Sequence, residues 1–141
     1  MSCNDNHHFS KVNCVCDVVQ MIAEIQDVST DFSCTSNCLN PVLGTSNQNG
    51  MRPNTRVFSL YTSEGERFEV DFFINGCEPD SSPFFRVESV DDCCAVLRVL
   101  RLVNEGNMAM CKFEATAQCI IVDLNCFCAI ACIEDTFVSG V

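Results

Sequence analysis

The sequence predicts a mainly β chain, an antiparallel β-sandwich of about seven or eight strands carrying one N-terminal α-helix. Three observations point there: a single run with helical spacing near the start, short stretches of alternating apolar and polar residues after it, and turn signals recurring between those stretches. A length of 141 residues fits one domain, and no internal repeat breaks it.

Residues 1–13 are polar and read as a mobile N-terminal tail, ahead of a single cysteine-rich domain over 14–141. From Cys14 to Ser29, Val15, Val18, Val19, Ile22 and Ile25 recur at helical spacing, with Asn13 as the expected N-cap. At about 100° per residue they form one face, with Asp17, Gln20, Glu24 and Asp27 on the other. On that wheel Cys14 flanks the stripe, and Cys16 is expected to point outward. Residues 30–55 are rich in Ser, Thr, Asn, Pro and Gly and read as an irregular connection, pinned by Cys34-x-x-x-Cys38.

The remainder alternates. Val57 to Thr62 and Arg67 to Ile74 flank Ser63-Glu64-Gly65-Glu66, which predicts a hairpin. In its second arm Phe68, Val70, Phe72 and Ile74 share one face, and Arg67, Glu69 and Asp71 the other. Phe84 to Val90 and Cys94 to Val103 follow, separated by Asp91-Asp92. Asn104-Glu105-Gly106-Asn107 then turns into Met108 to Phe113. Cys119 to Ile133 reads as two strands broken near Asp123 to Asn125.

Charge removes several functions. The chain has 19 acidic against 8 basic residues, a net charge of -11. Binding phosphate backbones or anionic membranes rests on clustered Lys and Arg, and here the basic residues are scattered. Arg98 and Arg101 sit among apolar strand residues, either facing solvent or pairing with carboxylates of another subunit. The N-terminus has no basic stretch followed by an apolar one, so a secretory signal is not expected. The most apolar stretch, Cys119 to Ile133, is too short to span a bilayer.

Thirteen cysteines dominate the chemistry. A domain of this size can build a core without staples, so the surplus needs another reason. Zinc wants paired knuckles. Cys34-x-x-x-Cys38 with Cys128-x-x-x-Cys132 fits only loosely, and His7 and His8 lie in the tail. A thioredoxin-like site needs C-x-x-C, which is absent, and a cysteine nucleophile needs a histidine base held by the fold. No catalytic residues, metal ligands or cofactor site emerge, and the chain reads as no enzyme. As a strand, Cys126 to Ile133 puts Cys126, Cys128, Ile130 and Cys132 on one face and Phe127, Ala129, Ala131 and Ile133 on the other. Residues two apart on a strand are about 6.5–7 Å apart, so these thiols pair with other segments or other chains. Adjacent Cys93 and Cys94 are expected on opposite faces. An odd total leaves at least one thiol without an intrachain partner. The disulfide or crosslink candidates are Cys3, Cys14, Cys16, Cys34, Cys38, Cys77, Cys94, Cys111, Cys119, Cys126, Cys128 and Cys132. Cys3 and Cys16 lead as links between chains.

Two segments carry a resemblance: Phe85-Arg-Val-Glu-Ser-Val-Asp-Asp-Cys-Cys-Ala-Val-Leu-Arg-Val-Leu100 and Val122-Asp-Leu-Asn-Cys-Phe-Cys-Ala-Ile-Ala-Cys132. With Cys34-x-x-x-Cys38 and the Arg56-to-Thr62 strand, they make the chain similar to the spore coat protein Y/Z family of Bacillus and relatives. The resemblance implies a structural protein of the spore coat crust or exosporium basal layer that self-assembles into hexamers and two-dimensional, disulfide-hardened arrays. It implies synthesis in the reducing mother-cell cytosol and oxidation later. The implied partners are further copies of the chain and other coat or exosporium proteins, with no nucleic acid, membrane or cofactor. Cys93 stands where related sequences often carry Ser and is not among the candidates. The alternative is a monomeric zinc-binding or thiol-rich interaction module.

Overall fold

The computed structural model describes residues 14–28, 53–74, 76–103 and 112–141. The expected N-cap Asn13, the tail over 1–13, most of the 30–55 connection and the Met108-to-Cys111 stretch lie outside them.

The helix α1 spans Cys14–Val28. Val15, Val19, Ile22 and Ile25 are buried, as the spacing requires. The outward placement of Cys16 is corrected: it is 4 % exposed and belongs to the core. Ala23, seven residues on and therefore in the same column of the helix surface, also packs against the core. The buried stripe is wider than the large aliphatic residues alone indicate.

Among the described residues seven antiparallel strands follow: β1 (Thr55–Thr62), β2 (Val70–Phe73), β3 (Pro79–Ser82), β4 (Phe84–Asp91), β5 (Cys94–Val103), β6 (Lys112–Asp123) and β7 (Phe127–Thr136). The mainly β, antiparallel expectation with one N-terminal helix is met. Five strands form one sheet in the order β6-β5-β4-β1-β7, and β2 pairs with β3 in a small second sheet. β4 and β5 are joined through Asp92 and Cys93, both with positive φ (53° and 69°), the signature of a tight hairpin turn whose twist matches its strands.

The expected hairpin between Val57–Thr62 and Arg67–Ile74 is reduced to a single bridge, Tyr61 to Arg67. β7 takes one edge of β1 along its length and β4 takes the other at Phe58, so the returning segment pairs only with the last residues of β1. Gly65 (φ 84°) turns the chain, Phe68 N–H still reaches Leu60 C=O at 2.8 Å, and β2 then pairs with β3. The alternation predicted there holds through Phe72: Phe72 is buried and Phe68 and Val70 half-buried, while Arg67, Glu69 and Asp71 are exposed. Ile74, grouped with the inward face, is exposed just past the end of β2.

Cys119–Ile133 divides at a 3₁₀ turn, Leu124–Cys126, capped by the Asp123 carboxylate accepting from Asn125 N–H at 2.9 Å. That turn runs between β6 and β7, the opposite edges of the large sheet. Four peptide steps from Asp123 to Phe127 reach about 15 Å. The edges of a flat five-stranded sheet stand about 19 Å apart. The sheet is therefore coiled, and the buried Leu124 closes one end of its concave side.

The main core lies on that side. It joins Val15, Val19 and Ile22 of α1 to Phe58, Leu60, Phe85, Val87, Leu97 and Val122 of the sheet and to Phe72 of β2. Phe68 bridges the two layers, 5.8 Å from Phe85 and 5.0 Å, edge-on, from Phe127. A smaller cluster of Val57, Leu100, Phe113 and Val138 packs separately. Inside the fold, Arg56 (1 % exposed) donates through Nε and another guanidinium nitrogen to both oxygens of Asp135, at 2.7 and 2.9 Å.

Candidate functional site: the cysteine surface

One disulfide anchors the helix. Cys16 is bonded to Cys93, 77 positions on in the sequence, with Cα atoms 5.3 Å apart. It ties the first turn of α1 to the β4–β5 turn. The positive-φ conformation of Cys93 takes it out of strand alternation, so the expectation that Cys93 and Cys94 simply face opposite ways gives way to a turn residue beside a strand residue. Sequence reasoning omitted Cys93. No local signal marks a partner so distant in the chain, although a cysteine at a tight turn beside buried strand ends was the available hint.

Among the described residues, Cys14, Cys77, Cys94, Cys119 and Cys126 are free and exposed. Three of them gather round the Cys93 turn. Cys94 follows it directly, Cys14 lies two residues before its partner Cys16, and Cys126 is two residues past Leu124, whose N–H donates to Cys93 C=O at 2.8 Å. Cys77 lies between β2 and β3. Cys119 is on β6, directly opposite Arg98 of β5.

β7 differs from its predicted pattern. Cys126 belongs to the 3₁₀ turn rather than the strand. A register shift between Tyr61 and Thr62 inserts an extra residue in β7 and turns Phe127 inward. Phe127 thus joins Ile130 and Cys132 at the core, away from Ala129 and Ile133, with which alternation grouped it. Cys128 and Cys132 are both disulfide-bonded. Four residues apart on an extended strand, about 13 Å, they do not bond to each other. Their sulfurs are committed to disulfides and do not serve as the second half of a zinc knuckle. Cys3, Cys34, Cys38 and Cys111 lie outside the described residues.

The arginines near Cys119 are paired within the chain. Glu88 accepts from Arg98 Nε at 2.9 Å and lies 3.1 Å from Arg86, so two guanidinium groups share one carboxylate. Arg98 also donates to Thr116 C=O at 3.0 Å. Its pKa is raised further, first by the hydrogen bond to Glu88 against the opposing effect of burial, then by Cys119 and by the Glu88 charge. Arg101 is 3.8 Å from Glu114 across the β5–β6 pair. Both arginines thus find carboxylates in their own chain. Glu134, beside the buried pair, has its carboxyl pKa raised by burial and by neighbouring Asp135. Among the described residues no set of three or more His, Cys, Asp and Glu is grouped to hold a metal, and no helix is long and apolar enough to cross a membrane.

Residues 1–135 match the family described as Spore coat protein Z. Spore coat protein Z of Bacillus subtilis (strain 168) is 31% identical over 143 residues, covering 90% of this chain and 93% of that protein. No solved structure matches the chain.

Proposed function

The chain belongs to the Spore coat protein Z family, and from that premise we propose that it is a structural subunit that polymerises into a hexameric, two-dimensional, disulfide-crosslinked array in the coat crust or exosporium basal layer. It performs no catalysis in this role. Its partners are further copies of itself and other coat proteins. One observation carries the reading: a fold already closed by its own disulfides keeps five further thiols exposed among the described residues. Thiols needed only for folding would be paired or buried. Synthesis in a reducing cytosol keeps them reduced until the layer is laid down, and oxidation then joins neighbours that have already docked. A subunit held by several bridges leaves only when all of them break, so the layer is kinetically stable beyond the worth of any single bond.

Purified full-length protein, oxidised slowly and viewed by electron microscopy, is expected to form ordered sheets that resolve to monomer on gels only after boiling with reductant. Persistence as a reduced or zinc-loaded monomer under every oxidising condition overturns the reading. That outcome would restore the monomeric thiol-rich module.

A further inference from the structure

Cys94 and Cys119 share a surface that no other part of the described chain covers. In the β5–β6 ladder Cys94 stands opposite Asp123, Val96 opposite Ile121, and Arg98 opposite Cys119. Opposed residues in an antiparallel pair lie on one face, and alternate residues along each strand stay on it. The other face is the core, with Ala95, Leu97 and Val122 buried. The outer face is therefore a strip with a thiol near each end and apolar side chains between them. Ile121 there is 72% exposed, the most exposed large hydrophobic residue described.

The two ends differ in charge. Beside Cys94 lie the exposed carboxylates of Asp123 and of Asp91, its partner on β4. Beside Cys119 lie Arg98 and its cross-strand neighbour Arg86, which share the single carboxylate of Glu88 and leave one net positive charge. Cys94 and Cys119 are about 13 Å apart along the strands, well beyond disulfide reach, so neither closes on the other within one chain.

We propose that this strip is a two-fold contact between copies of the chain, held by reciprocal Cys94–Cys119 disulfides. The inference rests on the polymerising role above and names one joint within it. The occupant is a second copy because the strip is complementary to itself. With a two-fold axis across the strands near Ile121, the acidic Cys94 end of each copy lies over the basic Cys119 end of the other. Ile121 and Val96 then pack on their own counterparts at the centre. Such a contact is isologous, so forming one bridge sets the second in place. Each bridge forms from two thiols, which lose two protons and two electrons to a low-molecular-weight disulfide. That oxidant leaves as two thiols.

The test uses the full-length chain in a background with Cys14, Cys77 and Cys126 changed to Ser, oxidised by glutathione disulfide. Equal amounts of ¹⁵N-labelled and unlabelled protein should give mixed-isotope peptides linked through Cys94 and Cys119. C94S alone and C119S alone should each lose that link. Mixing C94S with C119S should restore it, because one copy still supplies each thiol. Ile121→Asp, at a solvent-facing position, should slow the link at least several-fold while circular dichroism stays unchanged. Links between copies that form only through other cysteines overturn this joint and leave the polymerising role standing. Absence of any link between copies in wild-type protein overturns both. An unchanged linking rate for Ile121→Asp rules out docking on this face.

Discussion

The buried Arg56–Asp135 pair shows how the fold tolerates charge inside it. Two hydrogen bonds of 2.7 and 2.9 Å in a side-by-side arrangement match guanidinium to carboxylate geometry. Removing the acid strands a cation in a place water cannot reach, which typically costs about 3–5 kcal/mol. Asp135→Ala is therefore expected to lose about that much in urea unfolding, measured under reducing conditions so that disulfides do not contribute. A loss below about 1 kcal/mol would mean that Arg56 finds other partners or solvent. The acid is Asp135 because it stands opposite Arg56 in the β1–β7 ladder, whereas Glu134 stands opposite Val57 and its carboxyl, raised in pKa by burial and by Asp135, is easier to protonate. Arg56 was readable in principle, since it alternates with the core residues Phe58 and Leu60 along β1. Its acid partner, 79 residues on, was not.

At the scale of elements, the helix depends on its tether. Fifteen residues of helix with one apolar stripe are marginal alone. Packing on the sheet and the Cys16–Cys93 bond hold α1 in place. A crosslink closing so long a loop typically contributes about 2–4 kcal/mol. Cys93→Ser should lose that amount under oxidising conditions and nothing when compared with reduced wild type. Denaturant titrations of both proteins with and without reductant check this, and equal reductant sensitivity in the two would refute it. Local pattern made α1, β4, β5 and the alternation from Phe68 to Phe72 legible, because each records which face meets the core. It did not reveal which strands pair. β1 pairs with its sequence neighbour only at its last residues because β7 takes one edge and β4 takes the other at Phe58, and no local feature of Arg67–Ile74 carries that fact. The Phe127 bulge and the inward turn of Cys16 escaped for the same reason: both answer to segments distant in sequence. At the candidate site the five exposed thiols all fall among the twelve cysteines named from the sequence, but spacing did not tell exposed from buried and put Cys16 outside. The opposite ends of the Cys94–Cys119 strip emerge only from the β5–β6 register.

For the whole molecule, charge sets when copies can meet. Most described cations are engaged: Arg56 with Asp135, Arg86 and Arg98 with Glu88, Arg67 with Glu69, and Arg101 with Glu114. The far field is therefore that of a strongly negative body of net charge -11. At about 10 mM salt the screening length is roughly 30 Å, larger than the roughly 14 Å radius of gyration of a domain this size, so each copy feels the other's total charge and is repelled. At about 150 mM the length falls to about 8 Å. Only facing groups then matter, and the acid end of one Cys94–Cys119 strip meets the basic end of another. Near 1 M even that attraction is screened, to about 3 Å. Assembly, followed by light scattering at pH 7.5 with the oxidant held constant, should therefore be slowest at low salt. It should accelerate on the order of tenfold by physiological salt, then level off or fall toward 1 M. Lowering the pH toward the isoelectric point of the sequence, about 4.3, should separate the two stages. Docking speeds up as carboxylates are neutralised, while bridge formation slows because it proceeds through the thiolate. Sheets formed there should dissolve in detergent until the pH is raised. Assembly fastest at the lowest salt would show that local attraction outweighs the net charge from the start, and the acidic surplus would then have no part in holding copies apart before oxidation.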